Sequence, residues 1–267
     1  MSETTRSARG TTPRATAPRA PAPGVARAAR AVGLAALAAM VALQVASGIS
    51  AEPVRFTGIV VAVLAVSAIG FAAAGWGARR TLAAFGAVVA AGYAAEAVGV
   101  RTGFPFGEYH YTGLLWPQLG GVPVVVALAW GGMGLAAYGV AAAVTTGGPR
   151  IAVGAFALTA WDLFLDPQMV GLGLWTWAEQ GAYRGIPLTN FAGWLLVSAL
   201  VMLLLERILG GGPRPSRGLA GVYTTMAVME TVGFAAVFQP PDPLVAAAGG
   251  MSMGAFAALA WRRLWRK

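Results

Sequence analysis

Residues 189–209 read TNFAGWLLVSALVMLLLERIL, and no charged side chain interrupts the run from Phe191 to Leu205. A helix rises about 1.5 Å per residue, so a helix of this length crosses a hydrocarbon layer of about 30 Å. We expect similar transmembrane helices at approximately 31–49, 57–75, 81–99, 121–145, 151–170, 189–209, 218–237 and 243–260. The sequence therefore predicts an all-α, polytopic integral membrane protein with about eight transmembrane helices.

The composition supports a membrane protein. Of the 267 residues, 57% are hydrophobic and 11% are charged, whereas soluble domains average about 25% charged residues. The net charge of +9 would suggest nucleic-acid binding in a soluble protein. Here the basic residues lie in a tail and in short loops, which favours membrane topology and contact with anionic lipid over nucleic acid. The absence of cysteine excludes disulfides and thiol chemistry.

The basic residues also predict the orientation. Residues 1–28 are rich in Ala, Pro, Thr and Arg without apolar periodicity, and we interpret them as a disordered cytoplasmic tail before a single transmembrane domain at 29–267. With the tail inside, all of the 19 Lys and Arg residues except Arg55, Arg101 and Arg184 fall on the same side. Because positive charge prefers the cytoplasmic side, we expect both termini in the cytoplasm.

A secretory signal peptide is the alternative interpretation of the first apolar segment. The residues Ile49-Ser50-Ala51 resemble a cleavage site at its end. However, the preceding tail is long, and the apolar run exceeds the usual length of the hydrophobic region of a signal peptide. We therefore expect this segment to be retained as the first transmembrane helix.

Four acidic residues lie inside predicted transmembrane helices, where ionisable groups are costly and commonly functional: Asp162, Asp166, Glu96 and Glu230. Helical rise places all four in the outer half of the membrane. Asp162 and Asp166 share one helix face, and two carboxyl groups this close resist double ionisation. A neutral acid beside a carboxylate suits general acid–base catalysis. Alternatively, these acids cap loops or accept bonds from backbone and indole N–H groups.

Other polar and aromatic residues crowd the same side of the membrane. Glu108 and His110 lie in the loop after the third helix, Asn190 opens the sixth, and we expect all three to contact the substrate. An interfacial aromatic belt explains part of the aromatic cluster, but its surplus predicts a lined pocket whose ring faces can stabilise a cation. The expected aromatic lining is Tyr109, Tyr111, Trp161, Trp175, Trp177, Phe191 and Trp194.

Three stretches carry a resemblance to a known family. They are TGFPFGEYHYT at 102–112, WDLFLDPQMVGLGLWTW at 161–177 and GAYRGIPLTNFAGW at 181–194. The chain resembles the membrane carotenoid biosynthesis proteins that include the acyclic carotenoid hydratases, of the bisanhydrobacterioruberin hydratase and gamma-carotene hydratase types. Within the third stretch, Arg184 stands where the family usually has an aromatic residue.

The resemblance implies a multi-pass protein of the cell membrane that hydrates the isolated terminal alkene of a carotenoid to a tertiary alcohol. It implies no redox cofactor and no metal, and it suggests other carotenoid-synthesis enzymes as partners. Protonation of such an alkene gives a tertiary carbocation. We hypothesise that Asp162 or Asp166 donates the proton while the other activates water, and that Glu96 and Glu230 tune the pair.

Three rival functions remain open from the sequence. A membrane prenyltransferase also uses spaced aspartates, which hold magnesium for a diphosphate, but it normally has two acid-rich motifs with basic residues nearby. A proton-coupled transporter would explain intramembrane acids, and an internal repeat would support it. A structural subunit of a carotenoid-synthesising complex is the third alternative.

Overall fold

The computed structural model describes residues 20–210 and 216–266, and within these ranges the chain forms eight α-helices. They are α1 (Pro23–Gly48), α2 (Val54–Trp76), α3 (Ala78–Thr102), α4 (Val124–Val144), α5 (Pro149–Gly171), α6 (Leu188–Leu209), α7 (Arg217–Val232) and α8 (Pro243–Trp265), with a π-helical turn (Gly233–Val237) continuing α7. Seven are long and apolar enough to cross a membrane. The eighth, α5, has 23 residues and carries Arg150, Asp162 and Asp166. The predicted all-α, polytopic membrane fold is confirmed.

The predicted boundary of the N-terminal tail is wrong at one end. Helix α1 begins at Pro23, so residues 23–28 are helical rather than disordered. Proline suits the first helical position, where its missing N–H is not needed, and the Ala and Arg residues that follow favour helix. Residues 1–19 of the predicted tail lie outside the described residues. The cytoplasmic location of both termini stays a prediction.

Helix α4 forms the centre of the bundle. Nearly all of its side chains from Ala127 to Ala143 are buried, and its glycines let neighbouring helices approach closely. A Cβ atom at Gly131 would clash with Phe85 of α3, and one at Gly139 would clash with Leu219 of α7. The small residues of α4 therefore allow tight packing around a central helix, as membrane bundles require.

Four short strands cover the end of the bundle where α3 and α5 finish. Strand β1 (Tyr109–Tyr111) pairs antiparallel with β4 (Trp175–Trp177), and β2 (Gln118–Leu119) pairs with β3 (Val122–Pro123). Side chains alternate between the two faces of a strand. The phenols and indoles of β1 and β4 therefore turn inward, while His110 and Thr176 remain exposed. We did not predict these strands.

An ion pair joins two further connections at the same end. Arg184 lies in the tight turn before α6 and contacts Asp242, whose carboxylate caps the first turn of α8. Partial burial acts to raise the pKa of Asp242, but the bonds from Arg184 and from the backbone of Val245 and Leu244 outweigh it and lower that pKa. The charge of Asp242 therefore stabilises the fold wherever it is ionised.

Replacing Asp242 by Asn should make thermal stability less dependent on pH. Asn retains the capping role but not the charge. Because folding lowers the pKa of Asp242, its contribution is present above the unfolded value of about 4 and is lost as the pH falls through the folded value. The melting temperatures of wild type and D242N in detergent should differ at neutral pH and converge in acid. A constant difference at every pH would contradict this assignment.

A second ion pair lies at the opposite end of the bundle. Arg150, in the first turn of α5, is buried and contacts Glu206 of α6 at 2.8 Å. Tyr138 of α4 donates a hydrogen bond of 2.7 Å to the same carboxylate. Three helices are therefore joined by one charged cluster, whose guanidinium has little access to water.

Replacing Glu206 by Gln should lower the free energy of unfolding by about 1–3 kcal/mol, because it leaves the buried Arg150 charge without its partner. The matched control is Glu52→Gln, which breaks the exposed pair of Glu52 with Arg55 and should have little effect. Denaturation of both variants in the same detergent measures the difference. Equal stability of the two would show that the buried pair is not needed.

Candidate active site

A cavity of about 260 Å³ lies under the strands, among the ends of the helices. Most of its wall is apolar, but carboxyl and amide groups from five helices reach it. These are Gln44 of α1, Glu96 of α3, Asp166 and Gln168 of α5, Asn190 of α6 and Glu230 of α7. The cavity therefore combines an apolar volume with several acidic groups.

Asn190 joins the two aspartates of α5. Its Nδ2 donates to Oδ2 of Asp162 at 2.7 Å and to Oδ2 of Asp166 at 2.5 Å. The second oxygen of Asp166 accepts a 3.0 Å hydrogen bond from the indole N–H of Trp175. Asp166 thus has a donor on each oxygen, which fixes the orientation of its carboxyl group. Oδ1 of Asp162 has no hydrogen-bond partner among the described residues.

Glu96 is bonded on both carboxylate oxygens. The hydroxyls of Tyr109 and Tyr111 donate to Oε2, the latter at 2.8 Å, and the indole of Trp130 donates to Oε1 at 3.0 Å. Burial, together with the nearby Glu96 charge, raises the pKa of Tyr109 and Tyr111 above its usual range, so both phenols remain donors. Three donors from β1 and α4 therefore fix the position of the Glu96 carboxyl group.

Aromatic rings surround these carboxylates. Trp130 stacks on Trp194 with ring centroids 4.1 Å apart, and Trp161 meets the same ring edge-on at 6.1 Å. From β1 and β4, Tyr109 packs against Trp177 at 5.1 Å. The π faces of such rings attract cations, so the polar end of the cavity is suited to stabilise a positive charge.

Glu230 differs from the other acids of the cavity. It is 6% exposed, and no described residue donates a hydrogen bond to its Oε2. Gln44 lies nearby, because its amide contacts the sulfur of Met226, one helical turn before Glu230; Oε1 of Gln44 also lacks a partner among the described residues. A carboxyl group without a donor in an apolar wall is more stable neutral than ionised.

The structure brings most of the predicted site residues to the cavity. Tyr109, Tyr111, Trp161, Trp175, Trp177, Asn190, Trp194, Glu96, Asp166 and Glu230 all line it. Asp162 is fully buried behind it and reaches it only through Asn190. The role of each residue stays a prediction.

Three predicted substrate-binding residues do not line the cavity. Glu108 is exposed on the loop. His110 occupies the outward position of β1 and bonds Thr176 at 2.9 Å. Phe191 packs edge-on against Tyr183 at 5.5 Å. Strand alternation and helix rotation turn these side chains away from their cavity-lining neighbours, and their role in substrate binding stays a prediction.

Trp130 and Gln44 are among the lining residues that the sequence did not point to. Trp130 both donates to Glu96 and stacks on Trp194; a single Trp in the Gly- and Ala-rich α4 was the available signal. Gln44 interrupts the apolar run from Val32 to Ala46 of α1, and an amide at that depth was the signal for it.

Comparison with known proteins assigns the family. The family model described as carotenoid biosynthesis protein matches residues 56–257, a range that contains every acid of the cavity. The chain belongs to the carotenoid biosynthesis protein family. Within it, the chain is 37% identical over 136 residues to bisanhydrobacterioruberin hydratase of Haloarcula japonica. That alignment covers 48% of this chain and 45% of the relative, so less than half of the relative is matched. No solved structure matches the chain.

Replacing Asn190 by Leu should lower the free energy of unfolding by about 2–4 kcal/mol, because both aspartates lose a buried donor. The neighbouring Thr189→Val is the matched control, since it removes only the 3.3 Å bond of Thr189 to the carbonyl of Phe106 and should cost less than about 1 kcal/mol. Thermal unfolding in detergent compares them. The importance of the bridge would be refuted if N190L were as stable as T189V.

Proposed function

We propose that this protein adds water to a terminal carbon–carbon double bond of an acyclic carotenoid, in the cell membrane. The single observation that supports this best is the combination of donor-bound carboxylates, an unbonded carboxyl group and indole faces around one apolar cavity. The name of the bisanhydrobacterioruberin hydratase relative supports the same reaction.

The chemistry of the substrate explains this combination. A trisubstituted terminal alkene has no polar group to bind, so recognition must come from apolar contact and ring faces. Proton transfer to it generates a tertiary carbocation, which fixed carboxylates and aromatic faces stabilise electrostatically. A carboxyl group must therefore hold its proton until the alkene arrives, while others remain ionised.

The hydrogen bonds divide these roles among the acids. Glu230 receives no donated bond on Oε2, and we assign it as the proton donor. Asp166 accepts from both Asn190 and Trp175, and we assign it as the carboxylate that orients water. Glu96 supplies a fixed negative charge, and Asp162 holds Asn190 in place. This proposal replaces the expectation from the sequence that Asp162 or Asp166 donates the proton and that Glu230 tunes the pair.

The proposed reaction conserves atoms and charge through three proton and bond changes. The carboxyl proton of Glu230 forms a C–H bond with the less substituted alkene carbon, and the other alkene carbon becomes the tertiary cation. The oxygen of a water molecule bonds to that cation, and Asp166 accepts the released proton on a remaining lone pair. Return of a proton from Asp166 to Glu230, directly or through water, restores the starting state. The net change is alkene plus water to tertiary alcohol.

The cavity favours this reaction over prenyl transfer. Among the described residues that line it, there is neither Arg nor Lys. A diphosphate needs basic ligands or metal ions to neutralise its charge. An apolar end group needs neither, so the cavity fits an alkene better than a prenyl diphosphate.

Expression in a host that accumulates an acyclic carotenoid tests the activity. Mass analysis of the pigments should show products heavier by one water for each end that reacts. Unchanged pigments at normal abundance of the protein in the membrane would refute the proposed function. Magnesium-dependent prenyl transfer by isolated membranes would instead support the rival activity.

Two variants test the division of roles when membranes are supplied with carotenoid in D₂O. Glu230→Gln should lower hydration at least about a hundredfold and abolish deuterium uptake into recovered alkene, because it cannot protonate the substrate. Asp166→Asn should also lose hydration, but the cation can return its proton, so deuterium uptake continues. The matched control is Glu179→Gln, an exposed acid in the loop before α6, which should behave as wild type. Deuterium uptake by E230Q would contradict the assignment of Glu230.

A further inference from the structure

The cavity is too small for a whole carotenoid. Its volume of about 260 Å³ lies below the range of about 300–1,000 Å³ that is typical of pockets enclosing a drug-sized ligand. A carotenoid is about as long as the hydrocarbon layer of about 30 Å is thick. If the proposed function holds, the cavity encloses one end group, and the rest of the polyene lies outside the protein.

The exposed part of the cavity wall shows where the polyene can leave. Val45 and Ile49, at the end of α1, are 52% and 83% exposed, and Val232, at the end of α7, is 49% exposed. All three line the cavity. Since α1 and α7 are both apolar enough to cross a membrane, this opening, which we call the α1–α7 mouth, faces the bilayer rather than water.

The inner edge of the mouth is formed by small and apolar groups. Gly48 and Val237 both line the cavity, and a Cβ atom at Gly48 would lie 2.9 Å from Cγ1 of Val237. On the α7 side the helix widens into the π-helical turn at Gly233–Val237, a feature often found at functional sites. No charged side chain stands among these residues, so an uncharged chain passes them without desolvating an ion.

We infer that the α1–α7 mouth is a lateral portal, through which the apolar polyene chain of the substrate extends from the cavity into the outer half of the bilayer. This inference rests on the proposed function for the identity of the chain. It explains why an active-site cavity in a membrane protein has an exposed apolar rim, and it makes Val45, Ile49 and Val232 determinants of substrate length. A short alkene with the same end group fits inside the cavity and does not need the mouth.

The natural chain contains no cysteine, so a single introduced thiol can be used to obstruct the mouth reversibly. Val45→Cys places a thiol on the rim, and a benzyl methanethiosulfonate adds a bulky apolar group that a reductant removes. Val66→Cys is the matched control, because Val66 lies on α2, is 45% exposed and does not line the cavity. Both variants are measured in membranes, before labelling, after labelling and after reduction.

Labelled V45C should hydrate the long carotenoid at least about tenfold more slowly than unlabelled V45C, and the reductant should restore the rate. It should still hydrate a short terpenoid alkene, and labelled V66C should keep both activities. Undiminished hydration of the long substrate by labelled V45C, or an equal loss in labelled V66C, would overturn the portal.

A measurement of polyene binding distinguishes failure of the portal from failure of the proposed hydratase activity. A polyene that enters the cavity should quench the fluorescence of its tryptophans whether or not water is added. If wild type hydrates nothing but binds the polyene, and labelled V45C does not bind it, the portal stands and the hydratase activity fails. If labelled V45C binds as wild type does, the portal is wrong.

Discussion

A carboxyl group inside a membrane can accept hydrogen bonds only from donors within the protein, because lipid supplies none. This constraint shapes the whole end of the bundle that holds the cavity. Glu96 takes its donors from β1 and from α4, and Asp166 takes its donors from β4 and from α6. The pairing of β1 with β4 brings these two sets of donors side by side. The β1 and β4 segments, which connect helices, therefore pack onto the carboxyl groups to which they donate hydrogen bonds.

The helical bundle could be predicted from the lengths of the apolar segments and the positions of the charged residues. Each predicted apolar segment corresponds to a helix of the structure, because the thickness of the hydrocarbon layer fixes the length of a spanning helix. The start of α1 was missed because hydrophobic periodicity, rather than the helix propensity of Ala and Arg after Pro23, was used to place it. The strands were missed because two or three residues give no periodic signal, and the pairing of β1 with β4 joins segments more than sixty residues apart.

The acidic residues of the cavity could be predicted from the sequence because ionisable groups inside transmembrane helices are energetically costly and therefore rare. Asp162, Asp166, Glu96 and Glu230 stand out in apolar helices, and helical rise places them at one level of the bilayer. The hydrogen-bond partners of these acids were harder to predict from the sequence. Asn190 is 28 residues from Asp162, and Trp130 is 34 residues from Glu96, so only the packing of the helices reveals these bonds. Glu108, His110 and Phe191 are adjacent in sequence to residues that line the cavity. Their side chains do not line it, because neighbours along a chain face different directions.

Hydrogen-bond donors are unevenly distributed among the acids of the cavity. If every acid in the cavity were bonded as Glu96 is, all would be held as carboxylates and none could donate a proton. If all were unbonded like Glu230, all would be neutral, and no negative charge would face a cation. Hydration of an alkene needs both kinds at once, in a volume from which bulk water is excluded. Under the proposed function, the donor-bound acids are Glu96 and Asp166, which β1 and β4 reach, and the acid without donors is Glu230 on α7. An apolar chain that enters from lipid through the α1–α7 mouth would then meet Glu230 before the donor-bound acids.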